Sequence, residues 1–65
     1  MRILFRRTLN DGRKILVYQA GEMEVVILAK NGAKSIPLKI LKGEESCFWR
    51  DNLAKILGVS EEELK

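Results

Sequence analysis

The side chains of this 65-residue chain exclude more chemistry than they suggest. There is no histidine, so no ring is available to move protons near neutral pH. The carboxylates fall mostly at turns and at expected helix starts, where they serve local structure. The five glycines stand singly at turns or a helix end, so there is no glycine-rich loop to cradle a phosphate. Cys47 is the one thiol; alone it can form no internal disulfide, and without histidine it cannot complete a four-ligand zinc site. A helix start lowers a thiol pKa, but nothing in the chain supplies a general-base partner, and the expectation for Cys47 is a small buried contact. These residues predict a binding module rather than an enzyme, with no cofactor and no metal.

The residues that do suggest a ligand are cations beside an aromatic ring. Residues 1–42 hold nine basic and three acidic side chains, a net charge of +6, whereas residues 43–65 hold three basic and six acidic, a net of −3. Such asymmetry is informative about partners rather than about fold. Within the basic part, Arg6, Lys14 and Tyr18 fall on one side of an expected hairpin. Cations that track phosphates next to a ring that stacks on a base are the ingredients of single-strand recognition. Arg7, Arg13, Lys30 and Lys34 extend the candidate set. The competing expectation is an ordinary solvated sheet surface, or one that meets a partner subunit through Leu4, Leu16 and Tyr18.

The elements that must position these residues are legible in outline. Residues 2–9 alternate as a strand, Asn10-Asp11-Gly12 is a turn signal, and a second strand runs over about 13–19. A three-residue loop with Gly12 in a bulge sets Leu9 opposite Arg13 and Phe5 opposite Val17. One face then carries Ile3, Phe5, Ile15 and Val17; the other carries Leu4, Arg6, Thr8, Lys14, Leu16 and Tyr18. After a break at residues 20–22, Val25-Val26-Ile27-Leu28 is apolar without alternation, as in a strand that is central or covered on both faces. Lys30-Asn31-Gly32-Ala33 is a second turn. The fourth strand, 34–41, contains Pro37, which has no N–H for the ladder. The expectation is a three-residue loop placing Pro37 opposite Ile27, or else an edge strand with a bulge.

A helix follows, from Ser46 as N-cap to Leu57, with Glu44 and Glu45 near its positive end. Trp49, Leu53, Ile56 and Leu57 form an apolar stripe with Phe48 beside it, which reads as core packing rather than ligand anchoring. Gly58 suits the left-handed position past the helix end, and Ser60 with Glu63 matches a capping box. The stretch from Leu53 to Leu64 is similar to the helix–Gly-Val-Ser–helix junction of helix-turn-helix regulators. Its second segment is acidic, which suits a groove reader poorly, so the junction is read as cap chemistry. The whole, residues 1–65, is expected to be one α+β domain: a four-stranded antiparallel β-meander followed by a C-terminal α-helix packed on one sheet face.

This order of elements resembles that of whirly-like single-stranded nucleic-acid binders, which include the Pur-type repeats and a class of transcriptional coactivators. The local likeness to Pur-type repeats lies in Gly12-Arg13-Lys14-Ile15-Leu16-Val17 within the first hairpin, in Lys34-Ser35-Ile36-Pro37-Leu38, and in Phe48-Trp49-Arg50-Asp51-Asn52-Leu53. The resemblance implies pairing of two such units and single-strand binding along the sheet, with Arg6, Arg13, Lys14 and Tyr18 at matching positions. The chain departs from the family in having Tyr18 nearly alone as an open-face aromatic.

The function expected from sequence is therefore a small nucleic-acid-binding module for single-stranded DNA or RNA, using Arg6, Arg7, Arg13, Lys14, Tyr18, Lys30 and Lys34. The alternative is a protein-interaction or homodimerisation domain without nucleic-acid affinity. No stretch reaches the roughly 18 apolar residues of a membrane helix, and the basic N-terminus lacks the apolar run of a signal peptide. With a single cysteine, the expected setting is cytoplasmic, with no membrane partner.

Overall fold

The computed structural model describes residues 2–65. Four strands, β1 (Arg2–Thr8), β2 (Lys14–Gly21), β3 (Glu24–Asn31) and β4 (Lys34–Lys42), form one antiparallel sheet in the order β1-β2-β3-β4. A 3-10 turn (Gly43–Phe48) leads into the helix α1 (Trp49–Leu57), and a short 3-10 turn (Glu61–Leu64) follows. This is the expected α+β meander with its C-terminal helix.

The first hairpin closes as its turn residues dictate. Gly12 takes φ 94°, a left-handed value that side chains disfavour. The Leu9 N–H donates to Arg13 O at 2.7 Å, and Phe5 lies opposite Val17. Nearer the N-terminus the ladder shifts, because Ile3 pairs with Tyr18 and leaves Leu4 as an extra residue. This bulge reverses two expected orientations. Leu4 packs against the core, and Ile3, expected in the core, is exposed.

The second turn is a two-residue loop, Gly32-Ala33, with Gly32 at φ 65°. The expected register with Pro37 opposite Ile27 does not form. Pro37 lies opposite Leu28, Leu38 is extra, and Ile27 pairs with Lys39. The alternative expectation, a bulged edge strand, is the one observed. An edge position and a bulge are the places where a sheet tolerates proline.

The core lies between the sheet and α1. Ile15, Val17, Val25, Ile27 and Leu41 pack with Leu53 and Leu57 of the helix, and Val17 and Ile27 are fully buried. At the β1 side, Trp49 meets Phe5 with ring centroids 6.2 Å apart and planes tilted by 52°, a favourable aromatic geometry. Gly58 ends the helix at φ 71°, its N–H donating to Ala54 O at 2.9 Å.

Three local expectations are corrected. Ser46 does not cap a helix: it lies buried inside the 3-10 turn, and its hydroxyl donates to Gly43 O at 2.6 Å. The Ser60 side chain makes no capping bond; the Glu63 carboxylate instead accepts the Asn10 N–H at 2.7 Å, pinning the C-terminal segment to the first turn. Cys47 is exposed rather than buried, because the 3-10 turn faces it outward. The molecule is only 15 Å through its thinnest axis. Two layers fill that depth, so among the described residues no element covers the second sheet face.

Candidate nucleic-acid interface

The uncovered face can be read directly from strand pairing, because successive side chains alternate between faces. Three rows cross it. Ile3, Tyr18, Val26 and Ile40 form the first, Arg6, Leu16, Leu28 and Pro37 the second, and Thr8, Lys14, Lys30 and Ser35 the third. The face thus grades from apolar at one end to cationic and hydroxyl-bearing at the other. Arg6, Lys14, Leu16, Leu28, Lys30 and Ser35 help line a concavity of about 610 Å³. Val26 is buried although no layer covers it; in its row it lies between Tyr18 and Ile40.

Electrostatics separate the expected site residues into two groups. Arg6, Lys14 and Lys30 share the uncovered face with Tyr18, and among the described residues none of the three cations has an ion-pair partner. Glu24 lies on the same face, six residues along β3 from Lys30 and so roughly 20 Å away at the strand rise. It is held by Lys42 at 3.8 Å, an exposed pair of little energetic weight.

Arg7 and Arg13 serve the fold instead. The Arg7 guanidinium donates to the main-chain oxygens of Glu63, at 2.9 Å, and of Lys65, and lies 5.7 Å from the Phe5 ring centroid. Arg13 donates through Nε to Asp11 Oδ2 at 2.7 Å and through a terminal nitrogen to Leu57 O at 3.3 Å, which ties the first turn to the end of α1. Hydrogen bonds from the Arg13 main-chain N–H and then from its guanidinium hold the Asp11 carboxyl below its ordinary pKa. Lys34 pairs with Asn31 beside the second turn, one step out of the third row, and is exposed. The structure therefore brings together Arg6, Lys14, Tyr18 and Lys30, and sets Arg7, Arg13 and Lys34 apart from them.

Sequence reasoning missed the rest of the face. Ile3 reaches it only through the bulge at Leu4, Leu28 is set on it by the pairing of β2 with β3, and Ser35 reaches it only through the observed β3–β4 register. Of the two aromatic residues next to each other, Trp49 packs against Phe5 and carries Arg50 at 4.8 Å over its ring, while Phe48 is 55% exposed and so does not join the expected packed stripe. Among the described residues no three potential ligands gather around a metal-sized site, and no helix is long and apolar enough to cross a membrane. Comparison with protein-family models, with curated proteins and with solved structures returns no match.

Proposed function

We propose that this domain binds single-stranded nucleic acid on its uncovered sheet face and has no catalytic role. The observation that carries the reading is the grouping of Arg6, Lys14 and Lys30, none of them ion-paired among the described residues, along one concavity of the sheet face that also carries Tyr18. Cations track phosphates without regard to sequence, and an aromatic ring beside them stacks on a base. The apolar side chains between them, Leu16 and Leu28, give unstacked bases a dry surface. The resemblance to whirly-like binders, with sheet-face recognition by paired units, is part of this reading, as is a reducing cytoplasmic setting for the exposed Cys47 thiol.

The test is a titration of labelled single-stranded DNA and RNA at two salt concentrations. Binding that weakens with salt, and that weakens further in Tyr18→Ala by about 1–3 kcal/mol for one lost stack, supports the proposal. Absence of binding at low salt ends it.

A second reading has its own observation. Ile3 and Ile40 are exposed on the uncovered face, at the two ends of the row that holds the partly exposed Tyr18, and suit contact with a second copy of the chain. Sedimentation at high concentration separates the two. A dimer broken by joint replacement of Leu16 and Tyr18 with polar residues supports self-association through this face, whereas a strict monomer eliminates it.

A further inference from the structure

We infer that the third row of the uncovered face is a discrete seat for one phosphate group. Resting on the proposed sheet-face reading, it names the chemical group that this end of the face would hold. Thr8, Lys14, Lys30 and Ser35 are cross-strand neighbours in an unbroken line over all four strands, and all four line the same concavity. The order across the sheet is hydroxyl, ammonium, ammonium, hydroxyl.

Lys14 and Lys30 stand directly opposite each other, with Cβ atoms about 5 Å apart in such a pair, and like charges so placed repel. Nothing in the fold relieves them. Among the described residues none of the four side chains has a hydrogen-bond or ion-pair partner, and Asp11, three residues before Lys14, is held by Arg13. A tetrahedral anion set between the two ammonium groups removes the repulsion and gains two charge-assisted hydrogen bonds. The flanking hydroxyls of Thr8 and Ser35 donate to its outer oxygens, and Arg6 reaches it from the diagonal position one row away, about 7–8 Å off at Cβ. Oxyanions of this shape occur as the phosphodiester of a nucleic-acid strand and as free phosphate or a phosphate monoester; the seat recognises what they share.

The experiment follows backbone amide resonances of the full chain during titration with inorganic phosphate, with sodium chloride at matched ionic strength as control. A dinucleoside monophosphate, which has one internal phosphodiester, forms a second arm. The expected result is saturable shifts at residues 8, 14, 30 and 35 with phosphate and not with chloride. Lys14→Gln with Lys30→Gln should weaken binding at least about a hundredfold, the loss of two charge-assisted bonds, and Thr8→Val or Ser35→Ala at least about fivefold each, the loss of one hydroxyl bond to the anion. Lys39→Gln, on β4 outside the row, should change nothing.

Saturation by the dinucleoside monophosphate assigns the seat to a strand backbone. Saturation by inorganic phosphate alone assigns it to a small phosphate ligand, and upholds the seat even if single strands fail to bind. Equal shifts with chloride, or equal losses in Lys39→Gln and Lys30→Gln, overturn it. So does tight single-strand binding that survives the double lysine variant, which would leave the sheet-face reading standing without the seat.

Discussion

The number of cations that touch the strand is measurable from salt dependence, and the structure fixes the expected value. Six cations belong to the set expected from sequence, but only Arg6, Lys14 and Lys30 share the uncovered face, because Arg7 and Arg13 bond to main-chain oxygens and Lys34 lies out of the row. Each neutralised phosphate of a single strand contributes about −0.7 to the slope of log K against log salt, so three contacts give about −2.1 and six give about −4.2. Between 50 and 200 mM salt the first slope costs about 18-fold in affinity and the second about 340-fold. Fluorescence anisotropy with a labelled oligonucleotide at four or five salt concentrations resolves the two. Replacing Arg6, Lys14 or Lys30 singly by Gln should flatten the slope by about 0.7 each. Arg7→Gln and Arg13→Gln should leave the slope unchanged and lower the melting temperature. A wild-type slope near −4, or a flattened slope in the Arg7 or Arg13 variant, would refute the assignment of these cations.

Further outcomes follow from packing and titration. Leu53→Ala empties a site only 2% exposed at the helix–sheet interface and should cost about 2–5 kcal/mol in urea unfolding, enough to unfold a domain with so small a core. Arg13→Met removes partly exposed bonds to Asp11 and to Leu57 O and should cost about 1 kcal/mol in the same assay, with no change in strand binding. Because the folded-state pKa of Asp11 is depressed, its contribution to stability is present above its unfolded value and is lost as the pH falls through the folded one. An NMR titration of the Asp11 carboxyl should give a midpoint below the ordinary aspartate value that moves up only in part in Arg13→Met, because the larger cause, the main-chain N–H of residue 13, remains; an unmoved midpoint would show that the guanidinium contributes nothing.

The meander was legible because its turns carry chemistry of their own. Asn10-Asp11-Gly12 fixes its loop through the left-handed Gly12, and the pairing of Phe5 with Val17 follows from it. The stripe of Leu53 and Leu57 likewise reports its buried face through helical spacing. The bulge in β1 left no such trace, although Pro37 had marked β4 as a candidate bulged edge strand. Ile3, Leu4 and Phe5 are all apolar, so period-two alternation cannot show which of them is extra, and the slip at Leu38 follows from where Pro37 must lie. The division of the arginines was equally hidden. The partners of Arg7 and one partner of Arg13 are main-chain oxygens more than forty residues away, and a carbonyl carries no signature in a side-chain sequence. The candidate site was thus half legible: Arg6, Lys14 and Tyr18 came from hairpin parity, whereas the place of Lys30 opposite Lys14 depended on the register of β2 with β3.

The kinked fourth strand also governs how copies of this protein would polymerise. A chain adding to β4 would meet a residue with no N–H at Pro37, peptide groups thrown out of line at Leu38, and the repelling charges of Lys34, Lys39 and Lys42. Two molecules that joined β1 to β1 would present only such strands at their outer margins. Growth by strand addition would then stop at a pair, and a concentrated solution would not draw out into fibres.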